Sequence, residues 1–449
     1  MSSSENKSGS RPTLDALARS TLDGNWREGY TLPSPKLYPF QWNWDSGFIA
    51  LGLAYYNPER AMAEIRSMFK GQWRSGMLPH INFHRPDPNY FPGPEVWETR
   101  GLPNGSADVA TSGITQPPVF AFILERISAL PFGRTPEWKA FVRELYPRIL
   151  AQHRHLYTHR DPEGEGLVYI QHNWEAGTDN SPAYDAILDG IDVTGFRDVS
   201  ALRRDLRNVD ALHRPTNANY QRYIYLVDLF IECGYDDALI ARRSPFLVQD
   251  VLFNSMLARS NRSLIALAQQ IGADSAEVQA WNLKTEAAIN TKLWDADAGF
   301  YFSFDLRNRK RIRLKTSSGF MPLFAGICSS DQRDRLADHL TRSFTTSANG
   351  KLCTSTAVDE SAFDPVKYWR GPIWINVNWM LYHGLRRHGL TLLAERVKRE
   401  TLELLETRGM WEYFDPRTTA DGTGVGLGTD AFSWSAALAL DLIWNPDAF

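Results

Sequence analysis

The chain has 449 residues, 43% of them hydrophobic, enough for a large buried core in a few ordinary domains or in one repetitive architecture. Its 49 basic and 52 acidic residues leave a formal charge of −3, which gives no electrostatic footprint for nucleic acid or an anionic membrane. Three scattered cysteines, Cys233, Cys328 and Cys353, form neither a disulfide framework nor a paired metal motif, and no run of about 18 apolar residues is present to span a bilayer.

Residues 1–10, MSSSENKSGS, lack the apolar core of a signal peptide and read as a disordered leader. With the unpaired cysteines they place the protein in the reducing cytoplasm. From there helical periodicity dominates. Helices are predicted over 13–26, 46–56, 58–73, 117–128, 136–157, 219–234, 251–272, 275–294, 330–344, 372–389, 390–409 and 430–444. Strand-like runs are few, LVYIQH at 167–172 and GFYFSF at 299–304. No linker or compositional shift divides residues 11–449, which read as one domain.

The helices alternate. Those starting near 46, 117, 216, 317, 372 and 431 carry few charges, whereas 58–73, 136–157, 275–294, 330–344 and 390–409 have a charged face. An apolar helix followed by an amphipathic one, about six times, predicts an all-α fold with inner and outer rings, an (α/α)6 toroid. The segments before the apolar helices are unusual: YPFQWNWDSGF (38–48), TSGITQPP (111–118), HRPTNANY (213–220), KTSSGF (315–320), YWRGPIW (368–374) and GLGTDAFSW (426–434). HNWEAGTDNSP (172–182) belongs with them. Pro117, Pro182 and Pro372 suit a first helical position, and Ser181 an N-cap. Parallel inner helices would gather these segments at one mouth.

That mouth is rich in Trp, Tyr, Asp and Gln, within a chain that is 12% aromatic. Aromatic rings beside carboxylates suit a sugar, which offers apolar faces for stacking and hydroxyls for hydrogen bonds. Glycoside hydrolysis needs one carboxylic acid to protonate the leaving oxygen and one carboxylate on the opposite face. Asp45, Glu175, Asp179, Glu412 and Asp415 are the candidates. Asp179, in W-E-A-G-T-D-N-S-P, would have its pKa raised in a partly apolar site, as an acid catalyst requires; the alternative is that it or Asn180 caps a helix. Glu412, in M-W-E-Y-F-D-P, is costly to bury without a purpose or partner; the alternative is a strand-end glutamate paired with an arginine. Two aperiodic stretches, 74–112 and 415–429, read as lids over the mouth. His80 and His84 lack a third metal ligand, and the G-x-G-x-G run lacks the β-α-β setting of a dinucleotide site, so no metal and no cofactor is expected.

Together, the segments YPFQWNWDSGF, TSGITQPP, NWEAGTDNSP, YWRGPIW and WEYFDP…FSW resemble glycoside hydrolase family 63, from about residue 36 to the C-terminus. The likeness is greatest to its compact bacterial and plant branch, which acts on mannosylglycerate and glucosylglycerate. The resemblance implies an inverting α-glycosidase with Asp179 as general acid and Glu412 as general base, a pair that stands ~6.5–9.5 Å apart so that a water fits. It places Trp42, Trp44, Asp45, Trp174, Gly177, Trp369, Gly371 and Trp374 around the sugar, and Tyr38, Tyr90, Gln116, Arg214 and Tyr220 around the glycerate. An arginine among phenols would bind a carboxylate by charge-assisted hydrogen bonds. The expected partner is a small glycoside alone; homo-oligomerisation stays open. The rival readings are a trehalase-like or α-glucosidase enzyme for neutral oligosaccharides, and a non-catalytic sugar-binding toroid.

Overall fold

A computed structural model describes residues 13–347, 350–419 and 424–444. The leader at 1–10 and part of the glycine-rich stretch, 420–423, lie outside the described residues. The protein is helix-rich: Leu14–Asn25 (α1), Asn43–Leu53 (α2), Pro58–Lys70 (α3), Pro94–Trp97 (α4), Phe120–Ser128 (α5), Pro136–His159 (α6), Asp185–Asp189 (α7) and Asn217–Glu232 (α8). The helices continue with Asp237–Arg243 (α9), Val251–Ile271 (α10), Ala276–Ala288 (α11), Met321–Ala325 (α12), Ser330–Ser343 (α13), Ile375–Arg387 (α14), Thr391–Arg408 (α15) and Ser433–Trp444 (α16).

Local chemistry sets many of these starts. Asn57 and Thr135 cap α3 and α6, each followed by proline at the first turn, and Thr216 and Ser329 form capping boxes on α8 and α13. Pro117 and Pro372 do not begin helices. They precede α5 and α14 by three residues, whereas Pro182 opens a 3-10 turn capped by Ser181.

Helix α2 packs on α5, α5 on α10, α10 on α12, α12 on α14, α14 on α16, and α16 returns to α2. All eleven residues of α2 are buried. A helix apolar on every side has to be covered on every side. Its contact with α16 is close: a β-carbon at Gly52 would lie 2.4 Å from the Ala437 Cα, so only glycine fits. The amphipathic helices α3, α6, α11, α15 and α1 pack on α2, α5, α10, α14 and α16 respectively, while α13 lies on the strand Phe300–Tyr301. The helix expected near 216 among the ring's apolar helices, α8, has no place in that succession, which runs through α10. Helix α8 instead supplies Tyr220, Tyr223, Ile224 and Phe230 to a second hydrophobic cluster with Phe40, Trp42, Ile81 and Trp174.

Two small antiparallel sheets precede the inner helices. Gln41–Trp42 pairs with Ile81–Phe83, which pairs with Ala110–Thr111, so part of the 74–112 stretch is held in the sheet that leads into α2. Ile373–Trp374 pairs with Tyr413–Phe414, which pairs with Gly426–Leu427, setting Trp374 opposite Tyr413. The predicted strand at 167–172 is reduced to a single bridge, Ile170 to Val248. Among the described residues no helix is long and apolar enough to cross a membrane.

Candidate active site

Four inner helices start where the aromatic segments end. Trp42 leads into α2, with Trp44 and Asp45 in its first turn; Gln116 lies in the extended lead into α5; Trp374 precedes α14; Phe432 and Trp434 flank the start of α16. These residues converge on one cavity with Tyr38, Gly177, Asp179, Tyr368, Trp369 and Glu412. Its walls are stacked aromatics. Trp369 lies flat on Trp374 at 3.7 Å between ring centroids, and Trp374 stacks on Tyr413 at 4.6 Å. Gly177, at φ +74°, takes a left-handed turn in which a β-carbon would fall 2.7 Å from the Trp44 ring.

Three carboxyls line this cavity, Asp45, Asp179 and Glu412, the last two carried on different segments. Glu412 lies beside the Tyr413–Phe414 strand, its Oε1 accepting from the Tyr38 hydroxyl at 2.7 Å. Its Oε2 is buried and has no hydrogen-bond partner among the described residues. Asp179 lies in the turn after the 3-10 segment Asn173–Ala176; its Oδ2 accepts from the Tyr368 hydroxyl at 3.2 Å and its carbonyl from Asn173 Nδ2 at 2.7 Å. Asp179 caps nothing, because Ser181 does so, and Glu412 is bonded to a phenol, not paired with an arginine. Burial pushes Asp179 up to about 7, against the pull of Arg214 and Tyr368. Burial also pushes Glu412 up to about 7, opposed by Arg214 and the Tyr38 hydrogen bond. Asp45 is held well above the ordinary carboxylate range, first by burial and then by the Glu412 and Asp179 charges.

A second cavity adjoins the first and shares Tyr38, Trp42, Asp179 and Tyr368 with it. Tyr90, Trp174, Arg214 and Tyr220 line it. Arg214 is 5% exposed; its Nε donates to Asp205 Oδ2 at 3.2 Å, its Nη1 to the Tyr38 hydroxyl at 3.2 Å, and its guanidinium lies over the Tyr368 ring at 4.4 Å. Asp205 also accepts from Arg203 Nη2 at 2.8 Å. Two guanidinium groups thus share one carboxylate, leaving a positive charge beside this cavity. Although burial opposes it, the two arginines hold Asp205 below the usual carboxylate range.

Of the residues expected at the site, Gly371 lines neither cavity. A β-carbon there would meet the Asp364 carbonyl at 2.2 Å, so it shapes the turn behind Trp369. Glu175 is fully buried behind Asp179 and bonded to Arg160, and Asp415 is tied to Arg417. His80 sits at the second cavity, stacked 6.3 Å from Trp174, and burial pushes its pKa down to about 3. His84 bonds Gln41 Oε1 at 2.8 Å. Sequence reasoning missed Tyr368, Asp205, Phe432 and Trp434. Tyr368, Phe432 and Trp434 stand inside motifs already singled out; Asp205 lies in the charged run RRDLRNVD and gives no signal.

Residues 38–435 match the family described as "Mannosylglycerate hydrolase MGH1-like glycoside hydrolase domain". The mannosylglycerate hydrolase of Rubrobacter radiotolerans is 42% identical over 435 residues, 96% of each chain. The solved structure of the family 63 mannosylglycerate hydrolase of Thermus thermophilus, in complex with Tris and D-glycerate, superposes with a TM-score of 0.87 at 43% identity, covering 95% of this chain and 99% of that one. The chain belongs to glycoside hydrolase family 63. The family 63 likeness extends to the glucosylglycerate hydrolase of Mycolicibacterium hassiacum, 32% identical over 95% of this chain and 97% of that one. As a family 63 member the chain is a glycosidase.

Proposed function

We propose that this enzyme hydrolyses the α-glycosidic bond of 2-O-α-mannosylglycerate or 2-O-α-glucosylglycerate in the cytosol, with inversion, at the mouth of an (α/α)6 toroid. The observation that carries the reading is that Asp179 lies on the border of two adjoining cavities, one holding Glu412 among aromatic rings, the other holding Arg214. A bond spanning that border has its sugar on the Glu412 side and its glycerate on the Arg214 side. Gln116, expected at the glycerate, lines the first cavity, and Trp174, expected at the sugar, lines the second.

The chemistry follows from the two carboxyls. Asp179, protonated because burial raises its pKa, gives that proton to the glycosidic oxygen. Glu412, in the form of the pair in which it carries the anion, takes a proton from a water that attacks the anomeric carbon on the opposite face. The unpaired Oε2 is the oxygen able to hold that water. Glycerate leaves and the sugar is released as the β-anomer. The surplus positive charge of the Arg203–Asp205–Arg214 group suits a leaving group that carries a carboxylate. The unpaired cysteines support a cytosolic setting. The closed succession of α2, α5, α10, α12, α14 and α16, backed by amphipathic helices, supports the toroid.

The test compares a glycerate glycoside with the matching glycerol glycoside, which lacks the carboxylate. Hydrogen bonds to charged groups contribute ~1.5–3 kcal/mol each, so Arg214→Ala should lower kcat/KM on the glycerate glycoside by ~10–100-fold. The glycerol glycoside should lose less, because it keeps only the loss that comes from withdrawing the Arg214 charge from Asp179 and Glu412. Equal losses on both, in a variant that melts as the parent does, would move the assignment to a neutral glycoside. Anomer-resolved NMR of fresh product reports the stereochemistry, and α-sugar appearing first would exclude inversion.

A further inference from the structure

Behind the turn that carries Asp179 lies a fully buried ion pair that no step above uses. Arg160 Nη1 donates to Glu175 Oε2 at 3.2 Å, and the two side chains are 1% and 0% exposed. Glu175 is also saturated by backbone. Its Oε1 accepts from the Thr115 N–H at 3.1 Å and its Oε2 from the Gln171 N–H at 2.7 Å. Those amides belong to two segments that reach the cavities. Thr115 precedes Gln116, whose Oε1 accepts from the Trp44 N–H at 3.3 Å. Gln171 opens the loop that runs through Trp174 to Asp179, and Asn173 in that loop holds the Asp179 carbonyl. On its other side Arg160 is anchored to the scaffold: it caps the C-terminal end of α6, and its Nε donates to Asp237 Oδ1 on α9 at 2.8 Å.

We propose that Glu175, held by Arg160, is a positioning residue for acid catalysis. It locks the 171–179 loop, and with it the Asp179 carboxyl, against the Gln116 segment. The inference rests on Asp179 being the general acid. A buried ion pair contributes little net stability compared with apolar packing of the same volume, so its presence at the junction of two cavity-lining segments is better explained by geometry than by stability. Among the described residues, the clamp's hydrogen bonds reach neither Glu412 nor the Tyr413–Phe414 strand beside it. Its loss should therefore disturb protonation of the leaving group and leave water attack in place.

That asymmetry is measurable. A glycerate glycoside needs a proton on its leaving oxygen, whereas an α-glycosyl fluoride loses fluoride without general acid catalysis. Glu175→Gln keeps the volume but removes the charge, and a displacement on the scale of 1 Å costs ~10–100-fold. That loss is expected on the glycerate glycoside, with the fluoride rate within about threefold of the parent. Arg160→Lys, which keeps a cation, should show the same selectivity more weakly and serves if Glu175→Gln fails to fold. Asp179→Asn is the reference and should spare the fluoride in the same way. If Asp179→Asn lowers both rates alike, the acid assignment falls and the clamp falls with it. If Asp179→Asn is selective but Glu175→Gln and Arg160→Lys lower both rates alike, the positioning role alone is overturned.

Discussion

At the residue scale, the two proposed catalytic carboxyls have a shared difficulty: each is pushed by burial to about 7, so near neutral pH they divide roughly one proton between them. Each charge makes the other harder to form, and the pair titrates as a unit. The working form has Asp179 protonated and Glu412 ionised. Activity should therefore follow a bell around pH 7, failing on the acid side as Glu412 takes a proton and on the alkaline side as Asp179 loses one. Asp179→Asn and Glu412→Gln should each lower kcat by ~10²-fold or more. The same shifts carry a stability signature. Both folded pKa values lie above the ordinary 3.8 and 4.5, so the native state holds extra protons in between and loses stability as pH rises from about 4 to about 7. Melting temperatures of the two amide variants should thus match the parent near pH 4 and exceed it above pH 7. A constant offset across that range would show that neither carboxyl is raised. Asp179 and Glu412 stand out in the sequence because each charge lies beside aromatic-rich segments where it has no ordinary reason to be, whereas Arg214, a lone arginine before a proline, is reached only through the family resemblance. Asp205 does not stand out, because a carboxylate in a run of arginines looks like a solvated surface until the fold buries it.

At the scale of elements, the reading succeeded where period and caps agreed and failed where burial was polar. Helix α10 was missed as an inner helix because many of its buried residues are polar: Asn254, Ser255, Ser260, Asn261 and Ser263. Several of these polar groups are satisfied by neighbours. Asn254 Oδ1 accepts from the Val168 N–H at 2.9 Å, and Asn261 Oδ1 pairs with His153 Nδ1 at 2.8 Å. Periodicity counts apolar side chains and cannot see such pairings. Helix α8 misled in the opposite sense, since its apolar residues join the second hydrophobic cluster instead of packing between α5 and α12. The turn 174–179 is an element whose geometry can be tested by itself. Gly177 sits at φ +74° with the Trp44 ring 2.7 Å from where a β-carbon would be. Gly177→Ala should remain folded, since one strained turn costs ~1–2 kcal/mol, yet lose activity by displacing Trp44 or the Asp179 turn. Circular dichroism and kcat together decide it, and an alanine variant with parental kcat would show that neither group needs its present place.

At the scale of the molecule, helices α2, α5, α14 and α16 have different chemistry at their two ends. Their N-terminal ends carry the cavities. Toward their C-terminal ends lies a buried charge, Asp441 of α16, 0% exposed, which gathers partners from three other helical segments. Arg126 of α5 donates to it at 3.1 Å, Trp379 Nε1 of α14 at 2.7 Å, and the Tyr55 hydroxyl just beyond α2 at 2.7 Å. His383 Nε2 stands 3.4 Å away. Burial alone would raise the Asp441 pKa, but Arg126 and His383 outweigh it and hold the carboxyl well below its usual range. One aspartate thus ties α16 to the end of α2, to α5 and to α14, away from the cavities. Removing one partner of a buried, hydrogen-bonded ion pair costs ~3–5 kcal/mol. Asp441→Ala should therefore lose stability on that scale in denaturant melts, while kcat of the folded fraction at low temperature stays near the parental value. Replacing the pair together, Asp441→Leu with Arg126→Met, should recover part of the loss, because no charge is then left unpaired. A loss below about 1 kcal/mol for Asp441→Ala, the range of an exposed pair, would mean that the ring is closed by apolar packing alone. A kcat that fell in step with stability would mean that the two ends of the ring are coupled.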